Sequence, residues 1–176
     1  MANKDIETAK HIRLILSDVD GVLTDGSLVI DNAGVESKSF HVRDGVGIKL
    51  WQRCGFQFGL LTSRNSQIVK LRAAELNIEI VRQGFADKLP AAREIFSQLR
   101  IQPQEVCYIG DDLPDLPVMC EVGLSVAVAD AAAEVCEEAQ WTTALPGGRG
   151  AVREVIERLL KAKGSWDHCL PAKPVG

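Results

Sequence analysis

Short apolar runs alternate along this chain with stretches of helical spacing, and no other feature limits its fold so strongly. The runs cover residues 13–17, 57–62, 78–81, 106–110 and 124–128. Between and after them, the spacing predicts helices over 44–54, 66–76, 88–99, a short one around 115–120, then 131–139 and 151–163. Apolar strands separated by helices imply an α/β fold, a doubly wound and mostly parallel sheet covered on both faces through right-handed crossovers. One segment departs from this order. Apolar and polar residues at 28–31 and 35–40 flank the turn sequence Asn32-Ala-Gly34, so residues 27–40 read as a β-hairpin projecting after the first strand. With no repeat, low-complexity tract or linker, residues 1–176 read as one domain with an irregular tail over 164–176.

Composition excludes several classes. The 176 residues carry 24 acidic and 20 basic side chains, 46% hydrophobic and 25% charged residues, which describes one soluble globular domain. A net charge of −4 gives no electrostatic reason to bind nucleic acid or an anionic membrane. The longest stretches without charge, 54–63 and 139–148, have 10 residues each, far below the roughly 20 needed to span a bilayer. Asp18 interrupts the N-terminal segment before it can form a secretory leader, so secretion is not expected. The five cysteines include no CxxC pair and read as reduced thiols of a cytoplasmic protein, with Cys54, Cys107 and Cys120 buried in apolar surroundings.

In an open parallel sheet, ligands bind beyond the carboxyl ends of the strands. Four groups of polar residues follow predicted strands: Asp18-Val-Asp20, Thr62-Ser63-Arg64, Asp87-Lys88 and Asp111-Asp112 with Asp115. Each alone is explained as a helix cap or a solvated helix residue. Together they bring at least four carboxylates to one rim, where their repulsion calls for a cation. A hard divalent ion, Mg²⁺, accepts such oxygen ligands.

These residues, in this order, resemble the four motifs of the haloacid dehalogenase (HAD) phosphatase superfamily, over residues 12–163. The resemblance implies that Asp18 is the nucleophile and Asp20 the general acid and base. It also implies that Thr62 and Lys88 hold the phosphoryl oxygens, that Asp18, the Asp20 backbone carbonyl and Asp111 bind Mg²⁺, and that Asp112 and Asp115 support the metal from behind. The chemistry is consistent with these roles. A carboxylate nucleophile divides hydrolysis into two displacements, and a second acid must protonate the leaving alkoxide and then activate water. A signalling receiver domain uses similar groups, but its acidic pair precedes its phosphoacceptor, whereas the order here is Asp18, Thr62, Lys88, Asp111.

Only 41 residues separate Asp20 from Thr62 and 25 separate Thr62 from Lys88, so neither interval can hold a cap domain. The runs beginning at Phe40, Gln83, Gly110, Pro117, Val122 and Gly147 resemble the cap-less HAD family that acts on 3-deoxy-D-manno-octulosonate 8-phosphate (KDO 8-phosphate). That resemblance implies a homotetramer with packed hairpins, acting on a small phosphorylated sugar acid for lipopolysaccharide synthesis. It also makes Ser63, Arg64, Arg43 and Arg149 candidates for substrate binding. Arg64 favours the eight-carbon substrate over nine-carbon sugar acid 9-phosphates. Ser63 stands where the family usually has Gly, and the tail from Ser165 to Leu170 lacks the family's Gly-rich character. The alternatives are the same chemistry on a nine-carbon substrate, or a non-catalytic oligomeric module.

Overall fold

Strand β1 (Leu14–Ser17) lies inside a six-stranded parallel sheet, between β4 (Gln57–Thr62) and β6 (Val106–Gly110). The sheet continues outward through β5 (Ile80–Gln83) on one side, and through β7 (Leu124–Ala127) and β8 (Trp141–Thr142) on the other. The strand order reverses direction around β1, so the ends of β1, β4 and β6 form the crevice where such sheets bind ligands. The structure, a computed structural model, describes residues 3–169, with side chains from residue 7 onward.

Alternation along the strands builds two apolar layers. Ile15, Phe58, Leu60, Cys107 and Ile109 face α2 (Val42–Arg53), α3 (Gln67–Glu75) and α7 (Ala151–Ala162), whereas Leu14, Leu16, Leu61, Val106 and Tyr108 face α4 (Lys88–Leu99) and α5 (Leu116–Met119). Both faces of β1 are therefore buried, which explains its lack of polar alternation. Helix α7 buries Val152, Val155, Ile156, Leu159 and Leu160, each worth about 1.5–3 kcal/mol on full burial. On its outer side Arg153–Glu157, Glu154–Arg158 and Glu157–Lys161 pair across one turn. Its N-cap, Gly150, has no side chain to offer. Asp44 of α2 supplies the cap instead, with Oδ1 accepting the Arg153 N–H at 2.7 Å.

The hairpin is present as β2 (Val29–Ile30) paired antiparallel with β3 (Glu36–Ser37). The expected third strand is displaced from 78–81 to Ile80–Gln83, for a local reason. Asn77 adopts φ 55° after α3, and the N–H groups of Asn77 and Ile78 return to the Ala74 and Ala73 carbonyls. This Schellman cap binds Ile78 to the helix and delays the strand. Helix α1 (Asn3–His11) and the two-residue β8 were not expected, because neither carries an extended apolar period. Helix α6 (Ala133–Glu138) is shorter than its expected span. Among the described residues, no helix is long and apolar enough to cross a membrane.

Two cysteine expectations are corrected. Cys54 and Cys169 form a disulfide, although they stand 115 positions apart in the sequence. The cause is tertiary: α8 (Trp166–Cys169) turns back beside the end of α2, so the first part of the tail is helical and docked rather than irregular. Residues 170–176 lie outside the described residues. Cys120 is exposed, not buried, while Cys107 is fully buried as expected.

Candidate active site

Three carboxylates meet at the carboxyl end of the central strands. One oxygen each from Asp18, Asp111 and Asp115 lies within 4.8 Å of the others. Asp18 follows β1, and its N–H extends the ladder to the Ile109 carbonyl of β6 at 3.0 Å, which fixes the backbone beneath its carboxylate. The chain then leaves the sheet in a tight turn, with the Val19 carbonyl accepting the N–H groups of Val22, Leu23 and Thr24. Gly21 adopts φ +96° in this turn, and a Cβ there would collide with the Asp111 carboxylate.

Lys88, at the start of α4, enters this cluster almost completely buried. Its Nζ lies 3.0 Å from Asp18 Oδ1 and donates to Asp115 Oδ1 at 2.6 Å. Asp87 caps the same helix by accepting the Leu89 N–H, so the pair Asp87-Lys88 divides between a structural and a site role. Asp115 also accepts from the Tyr108 hydroxyl at 2.7 Å and from the Asp111 N–H at 2.9 Å. It is thereby tied to β6, α4 and the loop that carries Asp111.

The electrostatics match this crowding. Burial, then the charge of Asp115, pushes the Asp18 carboxyl up to about 6, with Lys88 opposing. Burial and the neighbouring carboxylates push Asp111 up to about 8. Burial alone would lower the Lys88 ammonium, but Asp18 and Asp115 more than offset it, so its pKa is raised. Oδ1 of Asp111 is buried without a hydrogen-bond partner, and Oδ1 of Asp18 has only the Lys88 ammonium beside it. Crowded, buried carboxyl oxygens, whose mutual repulsion a cation would relieve, form a donor set suited to a hard divalent ion, and the residues fit Mg²⁺ on that ground.

Asp20 lies in a second, adjoining group. Its carboxylate is held by Lys38 through Oδ1, and Arg64 Nε stands 3.7 Å from Oδ2. Glu36 of the hairpin joins both cations, 3.3 Å from Lys38 Nζ and 2.9 Å from Arg64, and accepts the Ser66 hydroxyl at 2.7 Å. The hydrogen bonds from Ser66 and Arg64 hold the Glu36 carboxyl down to about 2.

A family model for haloacid dehalogenase-like hydrolases matches residues 58–156. The 3-deoxy-D-manno-octulosonate 8-phosphate phosphatase KdsC of Yersinia pestis is 45% identical over 93% of this chain and 87% of its own length. The chain belongs to the haloacid dehalogenase-like hydrolases. The corresponding phosphatase of Escherichia coli K12 is 46% identical over the same shares. Among solved structures, the phosphatase of Moraxella catarrhalis, in complex with magnesium, phosphate and KDO, matches with a TM-score of 0.93 and 39% identity. The match covers 96% of this chain and 97% of that one. The cobalt-bound Haemophilus influenzae enzyme matches with a TM-score of 0.88 and 39% identity, over 90% and 93% of the two chains. Like the fold of those structures, this HAD-like sheet has helices on both faces, and the described residues include no cap domain.

Within this HAD-type framework, the expected site residues do not all converge. Thr62 is buried at the end of β4, its Oγ1 accepting the Arg64 N–H at 3.2 Å, while Ser63 is exposed beside it. Asp112, expected behind the metal, turns outward and caps a short 3-10 turn through the Leu113 N–H. That turn points Asp115 inward and Asp112 to solvent. Arg43 lines a separate cavity with Arg153, Glu157 and Lys161 of α7 and does not join the carboxylate cluster. Arg149 is exposed and stands 3.8 Å from Asp25 at the rim. Lys38, Glu36 and Tyr108 were missed: the first two read only as hairpin residues, and the third as a strand residue. The recoverable signal was the two-residue spacing of Glu36 and Lys38, which puts two opposite charges on one face of a strand.

Proposed function

We propose that this chain is a Mg²⁺-dependent phosphomonoesterase that converts KDO 8-phosphate to KDO and phosphate through an aspartyl-phosphate on Asp18. The observation that carries the proposal is the buried Asp18 carboxylate, 3.0 Å from Lys88 Nζ and grouped with Asp111 and Asp115. Kinship with phosphatases named for that substrate supports the choice of sugar.

In this reading an Asp18 oxygen attacks phosphorus and the bond from phosphorus to the sugar oxygen breaks. Asp20 gives its proton to that leaving oxygen. Water then attacks phosphorus, Asp20 takes its proton, and the bond to Asp18 breaks. Lys88 and the Thr62 hydroxyl stabilise charge on the phosphoryl oxygens. Asp18, the Asp20 backbone carbonyl and Asp111 would hold Mg²⁺, with Asp115 orienting them from behind. The ion would lessen repulsion between the nucleophile and the phosphate. Arg64, with its planar fork of donors, suits the sugar carboxylate. Arg149 and Ser63 lie at the rim, where the substrate's hydroxyl chain would pass.

The same reading makes the protein a homotetramer. Leu28, Val29, Ile30 and Val35 expose apolar surface on the hairpin, which has only two paired residues per strand. Such a hairpin is marginal alone, and packing against copies of itself supplies the missing burial. The test of substrate is kcat/KM for KDO 8-phosphate against a nine-carbon sugar acid 9-phosphate with Mg²⁺ present. A preference for the eight-carbon substrate is expected, and a preference for the nine-carbon one would overturn that choice.

A further inference from the structure

Lys38 is an unusual residue for an exposed hairpin, because only 1% of its side chain is accessible. The hairpin leaves the site by way of Phe40, which packs on the core and lies under the Arg72 guanidinium, 5.6 Å from its ring centroid. Glu36 and Lys38 precede Phe40 at two-residue spacing, so an extended chain turns all three toward the protein. The Lys38 ammonium bonds Asp20 Oδ1 and lies 3.3 Å from Glu36, whose other ties run to Arg64 and Ser66. The other Asp20 oxygen, Oδ2, is buried and accepts no hydrogen bond, its nearest cation being Arg64 Nε at 3.7 Å.

We infer that Lys38 is a positioning residue for the phosphatase reaction: it grips Asp20 Oδ1 and leaves Oδ2 as the oxygen that carries the proton. The inference builds on the function proposed above and assigns a task to a residue outside the motifs. Glu36 anchors Lys38 from behind, so the hairpin aims the acid–base carboxylate. In the first step Oδ2 gives its proton to the leaving sugar oxygen. In the second it takes a proton from the attacking water. A carboxylate free to rotate would misdirect both transfers, and a displacement near 1 Å can cost about 100-fold in rate.

Leaving groups separate this role from a general loss of structure. Nitrophenolate leaves without being protonated, so the first step on p-nitrophenyl phosphate does not need Asp20, whereas the water step does. For Lys38→Met with Mg²⁺, rapid mixing with p-nitrophenyl phosphate should give a first-turnover burst of nitrophenolate at close to the native rate. A steady state slowed about 10- to 100-fold should follow. On KDO 8-phosphate kcat should fall by a similar factor with KM little changed, and Lys38→Arg should restore most of it. Lys38→Gln carries the same expectation and replaces the Met variant should that fail to fold. Native-like steady-state rates in a folded variant would overturn the inference alone, as would equal slowing of burst and steady state. A native protein inert on both substrates would overturn the phosphatase reading, and this inference with it.

Discussion

Lys88 Nζ stands 3.0 Å from Asp18 Oδ1 while donating to Asp115 Oδ1 at 2.6 Å, so one ammonium restrains two carboxylates delivered by different strands. All three side chains are nearly excluded from solvent. Lys88→Met leaves two buried charges without that partner, and breaking a buried pair from one side costs about 3–5 kcal/mol. The expected result is a clear drop in unfolding free energy in urea together with loss of phosphatase activity. Native stability in the variant would contradict the pairing.

The metal-free protein should lose stability as pH rises. Asp18 and Asp111 titrate near 6 and 8 in the fold, above their ordinary value of 3.8. Between pH 4 and 8 the folded chain therefore binds more protons than the unfolded one, and stability falls with rising pH across that window. Mg²⁺ competes with those protons, so its stabilising effect should be small at pH 5 and large at pH 8. Thermal melts with EDTA and with Mg²⁺ at both values measure this; equal Mg²⁺ shifts would count against a carboxylate site.

Gly21→Ala places a methyl group against the Asp111 carboxylate at a backbone angle that side chains rarely adopt. The turn after β1 must then shift. Mg²⁺ affinity by calorimetry should fall at least 10-fold, a loss of about 1.4 kcal/mol, and native affinity would show that the close approach is unimportant.

Asp44→Ala removes the cap that α7 borrows from α2. The expected cost is about 1–2 kcal/mol, at the upper end for caps because the site is buried. Asp44→Asn keeps an accepting oxygen and should recover most of it. Equal losses in both variants would assign the effect to something other than the cap.

Most of the sheet and the main cluster were legible in the sequence because they depend on local signals. Apolar runs at 57–62 and 106–110 match β4 and β6, and polar residues directly after them had to lie on one rim. What was not legible depended on the chain folding back on itself. Asp112 and Asp115 look equivalent in the sequence, and only the 3-10 turn between them decides which one is buried. Cys54 and Cys169 meet because α8 docks at the end of α2. Lys38 reaches Asp20 because Phe40 anchors the hairpin, and nothing in the spacing of Asp20 and Lys38 announces that contact.

The central claim is that Asp18 is the phosphoryl acceptor of a Mg²⁺-dependent phosphatase. Its most direct test is phosphate release from KDO 8-phosphate by the native protein and by Asp18→Asn, each with Mg²⁺ and with EDTA. Release is expected only from the native protein with Mg²⁺, with Asp18→Asn folded and inactive. Release by Asp18→Asn at the native rate, or release by the native protein that EDTA leaves unchanged, would contradict the account.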